Sequence, residues 1–218
     1  MIRIHRITPA AFFVALALCV TSANAALLST LIDTDGSIQV GDKLFSDFTY
    51  SNTGSMPAPT LVNVSPYTDP QGNFGIEIQG SFVNINVGGS SNAVLNYTVT
   101  VLDPNKTIVG STLSANPAVI NGAGTSSATA SFLPEDPLTL TVFSTVPGST
   151  LLATSGVFTT DHQTLHVQTS ITGSSVTGVE TMSFVRQTFV QVPEPATVTL
   201  MTLGLGAICF LGRRHRRG

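Results

Sequence analysis

From Ile38 to Val192 the chain keeps placing apolar, β-branched and aromatic residues at alternate positions, and breaks the pattern with turn residues at short intervals. Phe74-Gly-Ile-Glu-Ile-Gln79, Ala93-Val-Leu-Asn-Tyr-Thr-Val-Thr-Val-Leu102, Pro137-Leu-Thr-Leu-Thr-Val-Phe143 and Leu165-His-Val-Gln-Thr-Ser-Ile171 all alternate with period two. Lys43 to Tyr50 is rich in aromatics, and Met182 to Val192 reads as a last strand. Such runs suit a pleated surface buried on one side. Turn signals separate them: Asn52-Thr-Gly54, Asp69-Pro-Gln-Gly72, Gly88-Gly89, Asp103-Pro-Asn105, Asn121-Gly122, Pro134-Glu-Asp-Pro137, Pro147-Gly148 and Thr172-Gly173. Their spacing of roughly 8–12 residues predicts an all-β body, an antiparallel sandwich or jelly roll. Helical periodicity is absent, apart from Ala26 to Leu31, a stretch too short to assign.

Charge narrows the function. Between Ala26 and Val192 the only bases are Lys43, Lys106 and Arg186, against eleven acids. Nucleic-acid affinity comes largely from neutralising phosphates, so an acidic body excludes that partner. The two cysteines, Cys19 and Cys209, lie in the terminal apolar runs. The body therefore has no disulfide framework, thiol nucleophile or cysteine metal site, and must stand on its core.

The two ends specify delivery. Arg3 and Arg6 precede an apolar run from Ala10 to Val20, and Ala23-Asn24-Ala25 is a small-x-small cleavage signal before Ala26. Residues 1–25 are read as a helical signal peptide for signal peptidase, cut after Ala25. At the other end, Ala196 to Gly212 carries no charge and is followed by Arg213, Arg214, Arg216 and Arg217. Seventeen helical residues span about 25 Å, just short of a hydrocarbon core of about 30 Å. The basic cluster resists translocation and anchors this transmembrane helix on the cytoplasmic side, with the acidic body outside. Two prolines stop the helix from continuing upstream, so Pro193-Glu194-Pro195 sits at the outer interface.

Val192-Pro193-Glu194-Pro195, the apolar run and the arginine cluster, in that order, resemble the PEP-CTERM sorting signal of Gram-negative bacteria. The resemblance implies an exosortase-like membrane enzyme that recognises the motif and cuts near it. It implies release or transfer of the protein to the cell surface or extracellular matrix, often alongside exopolysaccharide. The expected organisation is a signal peptide at 1–25, a secreted β-sandwich at 26–191 and a sorting signal at 192–218. That signal divides into the motif 192–195, the helix 196–212 and the basic tail 213–218. Gly41 to Ser51, Gly75-Ile-Glu77 and the closing run Met182 to Gln191 also resemble a group of PEP-CTERM-bearing proteins of unknown function. That likeness implies a sandwich and no activity.

Chemical candidates in the body are sparse. Asp161-His162-Gln-Thr-Leu-His166 puts two imidazoles four apart, but on a strand that is about 13 Å, too far for one metal. Asp33-Thr-Asp35-Gly-Ser37 is half a calcium loop that lacks its third acid, with Asp42 as a poor distal ligand. Glu77, Glu135 and Glu180 are acids by type, with nothing to pair them as a glycosidase requires. The leading expectation is a non-enzymatic surface or matrix protein without a cofactor, in contact with exopolysaccharide or with other matrix proteins. The alternative is a surface hydrolase or metal-dependent binding module, which needs these carboxylates or histidines gathered in a cleft. A third reading, an ice- or crystal-binding face, needs a regular array built on Thr98/Thr100 and Thr139/Thr141.

Overall fold

The computed structural model describes residues 25–193. Residues 1–24 of the expected signal peptide, including Ala23, lie outside it. So do Glu194, Pro195, the expected span 196–212 and the arginines 213, 214, 216 and 217. Along the chain run β1 (Ala26–Leu27), α1 (Leu28–Asp33), β2 (Ile38–Val40), β3 (Lys43–Thr53), a 3-10 turn (Pro59–Leu61), β4 (Asn63–Thr68), β5 (Phe74–Asn84), β6 (Ser90–Val101) and β7 (Lys106–Ala115). They are followed by β8 (Ala118–Ile120), β9 (Gly124–Phe132), β10 (Asp136–Val146), β11 (Thr150–Leu151), β12 (Ala153–His162), β13 (Thr164–Ser175) and β14 (Val179–Pro193). The body is all-β, as the alternation predicts. The short run at Ala26 to Leu31 becomes β1 and the start of α1.

Two seven-stranded antiparallel sheets form a sandwich. One has the order β1-β4-β5-β14-β7-β12, with β8 added beside β14; the other has the order β11-β10-β9-β13-β6-β3-β2. The pairs β5–β14, β6–β13, β7–β12 and β9–β10 are nested one inside the next along the sequence. That nesting is the winding of a jelly roll. It gathers the turns at two ends. The β2–β3, β4–β5, β6–β7, β9–β10 and β12–β13 turns share the end where β14 leaves the sandwich.

Inward positions of the alternating strands meet in one core. Its middle is a seam of rings. Phe189 of β14 lies 6.0 Å from Phe45 of β3 and 6.5 Å from Phe132 of β9, both on the facing sheet. Phe45 continues to Tyr97 at 6.1 Å, and Phe132 to Phe158 of β12 at 4.9 Å. Tilted and edge-on rings at these separations are the favoured geometry.

β14 keeps its apolar side on the core only by a local irregularity. Met182 and Val185 both face inward, an odd spacing for a strand. Between them, the backbone N–H groups of Ser183 and Phe184 both donate to Asn116 Oδ1, at 3.0 and 3.1 Å. Two successive amides pointing one way mark a β-bulge, and the Asn116 side chain supplies the acceptor that the ladder cannot.

One expected turn is a correction. Thr172-Gly173 lies inside β13, not between strands. Gly173 is there for close approach, since a Cβ at that position would stand 2.6 Å from the Cβ of Asn84.

Phe189 is fully buried and joins both sheets. Phe189→Ala is expected to cost about 3–5 kcal/mol, read as a lower urea midpoint at unchanged slope.

Candidate functional site

The outer face of the first sheet carries an ion pair set among aromatic rings. Arg186 on β14 stands opposite Glu77 on β5, and its Nε donates to Glu77 Oε2. Gln79 Nε2 donates to the other oxygen. The guanidinium lies 4.6 Å over the Tyr67 ring and 4.4 Å over the Phe184 ring. Glu77 is therefore 7% exposed yet fully paired, and the arginine is held flat between two aromatics.

Towards the end where β14 leaves, the β4–β5 turn is fastened to the same face. Asp69 Oδ1 accepts from the backbone N–H groups of Gln71 and Asn73, at 2.9 and 2.8 Å. Its Oδ2 accepts from Asn73 Nδ2 at 2.9 Å and from Thr188 Oγ1 at 3.1 Å. Gly72, at φ 87°, supplies the left-handed residue that this turn needs. Partial burial alone would raise the Asp69 pKa. The donors from Asn73, Thr188 and Gln71 outweigh it and hold the carboxyl below its ordinary range.

Beside this turn runs a groove of about 540 Å³. Asp69, Gln71 and Asn73 close one end; Gly110, Thr112 and Val190 form its floor; Thr154, Ser155 and Val157 form the far wall. Gly110 is required, because a Cβ there would lie 2.6 Å from the Gly156 carbonyl. The far wall stands out because β12 leaves the ladder. Val157 pairs with Gly110, but the next pair is His162 with Ile108, so four residues of β12 bulge against one of β7. Among the described residues, the groove's only ionisable group is Asp69, already saturated by its turn. Hydroxyls, amides and valine side chains remain to meet a ligand.

The bulge also holds the histidines apart. Thr159 donates from its N–H and its Oγ1 to Asp136 Oδ2, both at 2.7 Å, and Leu138 N–H donates to Oδ1 at 2.9 Å. His162 Nε2 lies 3.6 Å from the same Asp136. His166, four residues on, pairs instead with Glu135 at 2.5 Å. Asp161 accepts from Thr107 Oγ1 at 3.2 Å. Asp33 and Asp35 are exposed, while Asp42 is engaged with Lys43 and Lys106. Among the described residues no three of His, Cys, Asp and Glu gather as metal ligands.

The three glutamates are dispersed. Glu77 is on the outer face, Glu135 in the β9–β10 turn, and Glu180 is buried at the opposite end, accepting from Asn84 Nδ2 at 2.8 Å. Arg186, the partner of Glu77, is six residues along β14 from Glu180, about 20 Å of strand. Thr98/Thr100 and Thr139/Thr141 do face outward on the second sheet, but β13 and β9 separate them. The cross-strand rows mix threonine with Asn96, Gln168, His166, Val94 and Phe143, so the face is not a regular threonine lattice.

Of the sorting motif, Val192 and Pro193 fall in the described residues, as the last two residues of β14, paired with Thr107 and Lys106. Ala26 opens β1, opposite Val64. The groove and the Arg186–Glu77 pair escape sequence reasoning. The one available signal is that Arg186 is the body's only arginine, set in a strand.

Residues 191–217 match the PEP-CTERM protein-sorting motif, which implies export and processing by exosortase, a membrane enzyme. No curated protein matches the sequence. Among solved structures, the chain is similar to the enzymatically active domain of tailspike protein 4 of bacteriophage CBA120, at 19% identity and a TM-score of 0.27. That match covers 66% of this chain and 19% of the other, so the chain spans under a fifth of the tailspike's length. It is also similar to TmCBM61 in complex with beta-1,4-galactotriose, at 11% identity and a TM-score of 0.30, over 66% of this chain and 88% of that one. The mannan-recognising carbohydrate-binding module TmCBM27 matches at 8% identity and a TM-score of 0.32, over 68% and 99%. All three likenesses are distant.

Asp136 gives a pH test of the bulge. Burial would raise its pKa, but the donors from Thr159 and Leu138 and the nearby His162 lower it. A lowered folded-state pKa contributes stability above the unfolded value, about pH 4, and loses it as pH falls further. In urea unfolding, Asp136→Asn is expected to be less stable than the parent at pH 6, with the gap narrowing towards pH 2.

Proposed function

We propose that the protein is a non-enzymatic component of the cell surface or extracellular matrix of a Gram-negative bacterium, sorted through its tail and holding neutral polysaccharide in the groove between the β4–β5 turn and β12. The sorting motif carries the first half of this reading. Its residues Val192 and Pro193 are the last two of β14, which supports a body close to the expected site of processing. In this reading residues 1–25 are removed by signal peptidase after Ala25, leaving Ala26 at the start of β1. Residues 26–191 form the exported body. Residues 192–218 form the sorting signal, with 196–212 in the membrane and the arginines at 213, 214, 216 and 217 inside.

The groove supports the second half. Its polar groups are hydroxyls and amides, and its carboxylate is spent on its own turn. Sites for neutral sugars combine such polar groups with apolar surface, here from Val109, Val157 and Val190.

Intact mass of the mature protein from its host, with and without the exosortase, tests the sorting. The expected species begins at Ala26 and ends near Pro193 to Pro195, and depends on the enzyme. A tail that persists through Gly218 in both strains overturns the reading and leaves a membrane-tethered domain. Binding of the host's neutral matrix polysaccharide tests the groove: the exposed Ser155→Trp, which fills it, is expected to weaken binding tenfold or more without lowering the melting temperature.

A further inference from the structure

The end of the sandwich opposite the β14 exit is built from three turns that touch: residues 85–89 between β5 and β6, 121–123 between β8 and β9, and 176–178 between β13 and β14. Ser175 N–H donates to Gly89 O at 2.9 Å, and the N–H groups of Val176, Thr177 and Gly178 converge on Ala123 O, at 2.9, 3.0 and 3.1 Å. The turns hold aliphatic side chains out into solvent. Ile85 is 60% exposed, Val87 67% and Val176 65%, and Ile120 at the foot of the second turn is 46% exposed. Single exposed aliphatics are ordinary, but four on one hydrogen-bonded tip form a patch.

Charge and backbone bonding decide what covers it. The three turns hold no acid and no base. Glu180, the nearest acid in sequence, is 1% exposed and accepts from Asn84 Nδ2 at 2.8 Å. Covering the tip therefore strips water from no ion. Its backbone donors are also spent within the tip. Besides those of residues 175–178, Gly89 N–H donates to Asn86 O at 2.9 Å, Ala123 N–H to Thr177 Oγ1 at 3.0 Å and Ile85 N–H to Ser55 Oγ at 3.2 Å. Satisfied backbone is what the edge of a hydrocarbon layer demands of a loop. A second copy of the tip would bring no ion pair to set a register. Anionic lipid finds no base there and meets a body with eleven acids against three bases.

We infer that this tip docks on the surface of a zwitterionic lipid bilayer, with Ile85, Val87 and Val176 entering the headgroup boundary. The start of β1 and the end of β14 both point to the other end of the sandwich, since Ala26 pairs with Val64 and β4 runs on from there to the β4–β5 turn. The eleven residues of β5 separate the two ends by about 35 Å. With the tail in one membrane, as the reading above has it, the tip meets a second lipid surface.

The chain has no tryptophan, so Val87→Trp at the tip and the exposed Thr139→Trp on β10 each place a single reporter. Each full-length variant is reconstituted into phosphatidylcholine vesicles, and empty acceptor vesicles of phosphatidylcholine brominated in its acyl chains are added. Flotation of the donor vesicles reads the tail, and quenching by the acceptors reads the tip, so the two failures are separate. A chain that does not float meets the acceptors free in solution and is read in the same way. A side chain seated about 5–10 Å into the boundary meets the bromines, so Val87→Trp is expected to lose about half its emission and Thr139→Trp none. Adding Val176→Asp to Val87→Trp is expected to abolish the quenching at an unchanged melting temperature. The parent is expected to carry dye-labelled acceptors down with the donors, and Val176→Asp to lose that. Unquenched Val87→Trp overturns the inference, as does equal quenching of Thr139→Trp, quenching that survives Val176→Asp, or a parent that recruits no acceptors. Clustering of protein-bearing vesicles alone gives the tip to a second copy and overturns it too.

Discussion

Closure of the sandwich by its last strand governs the rest of the structure. β14 is last in sequence but lies inside its sheet, with β5 on one side and β7 and β8 on the other. It also carries Phe189, the ring that reaches both Phe45 and Phe132 across the core. Until β14 is in place, β5 and β7 present two open edges towards each other, and the aromatic seam lacks its middle. The closing loop is long, but loop entropy grows only slowly with length, so the late pairing costs little extra in stability. Its cost is kinetic, because non-local pairing is slow and unpaired edges invite aggregation. The matched sorting motif begins within β14, so its first residues belong to the strand that closes the sheet.

The same winding sorts charge. The turns at the β14 exit end hold Asp42, Asp69, Asp103, Glu135 and His162's neighbour Asp136, with Lys43 and Lys106 at the adjoining strand starts. The turns at the opposite end, residues 85–89, 121–123, 147–149 and 176–178, hold no charge, and Ile85, Val87 and Val176 are exposed there. At the charged end nearly every acid has a structural task. Asp69 and Asp103 accept the amides of tight turns, Asp136 accepts those of the β12 bulge, and Asp42 bridges two lysines. Local hydrogen bonds of this kind are why aspartate is favoured at turns.

Period-two alternation made most of this legible. The runs at Lys43, Phe74, Ala93, Pro137, Leu165 and Met182 all fall in strands, and most turn signals fall between them. β9 was harder to read, because its inward residues Gly124, Ser126, Ala128 and Ala130 are small and its outward ones are Ser and Thr, leaving little contrast. β7 and β12 were obscured by Gly110, Ser111 and Gly156 for the same reason. Those small residues are also what makes the groove, so the feature hardest to see in sequence is the one with functional shape. Pairs such as Arg186 with Glu77 depend on register between distant strands, which no local pattern encodes.

The use of the acids bears on what the groove can do. General acid–base chemistry needs a carboxyl free to exchange its proton, often with a raised pKa and a second carboxyl within reach. Here Asp69, the groove's one acid, accepts four hydrogen bonds and is held below its ordinary range. Glu77, on the same face, is clamped by Arg186 and Gln79. Saturating a carboxylate removes it as a proton carrier while leaving it effective as a fixed acceptor that shapes a wall. Among the described residues the groove is thus walled by one saturated carboxylate, hydroxyls and amides, over a backbone pinned by Gly110.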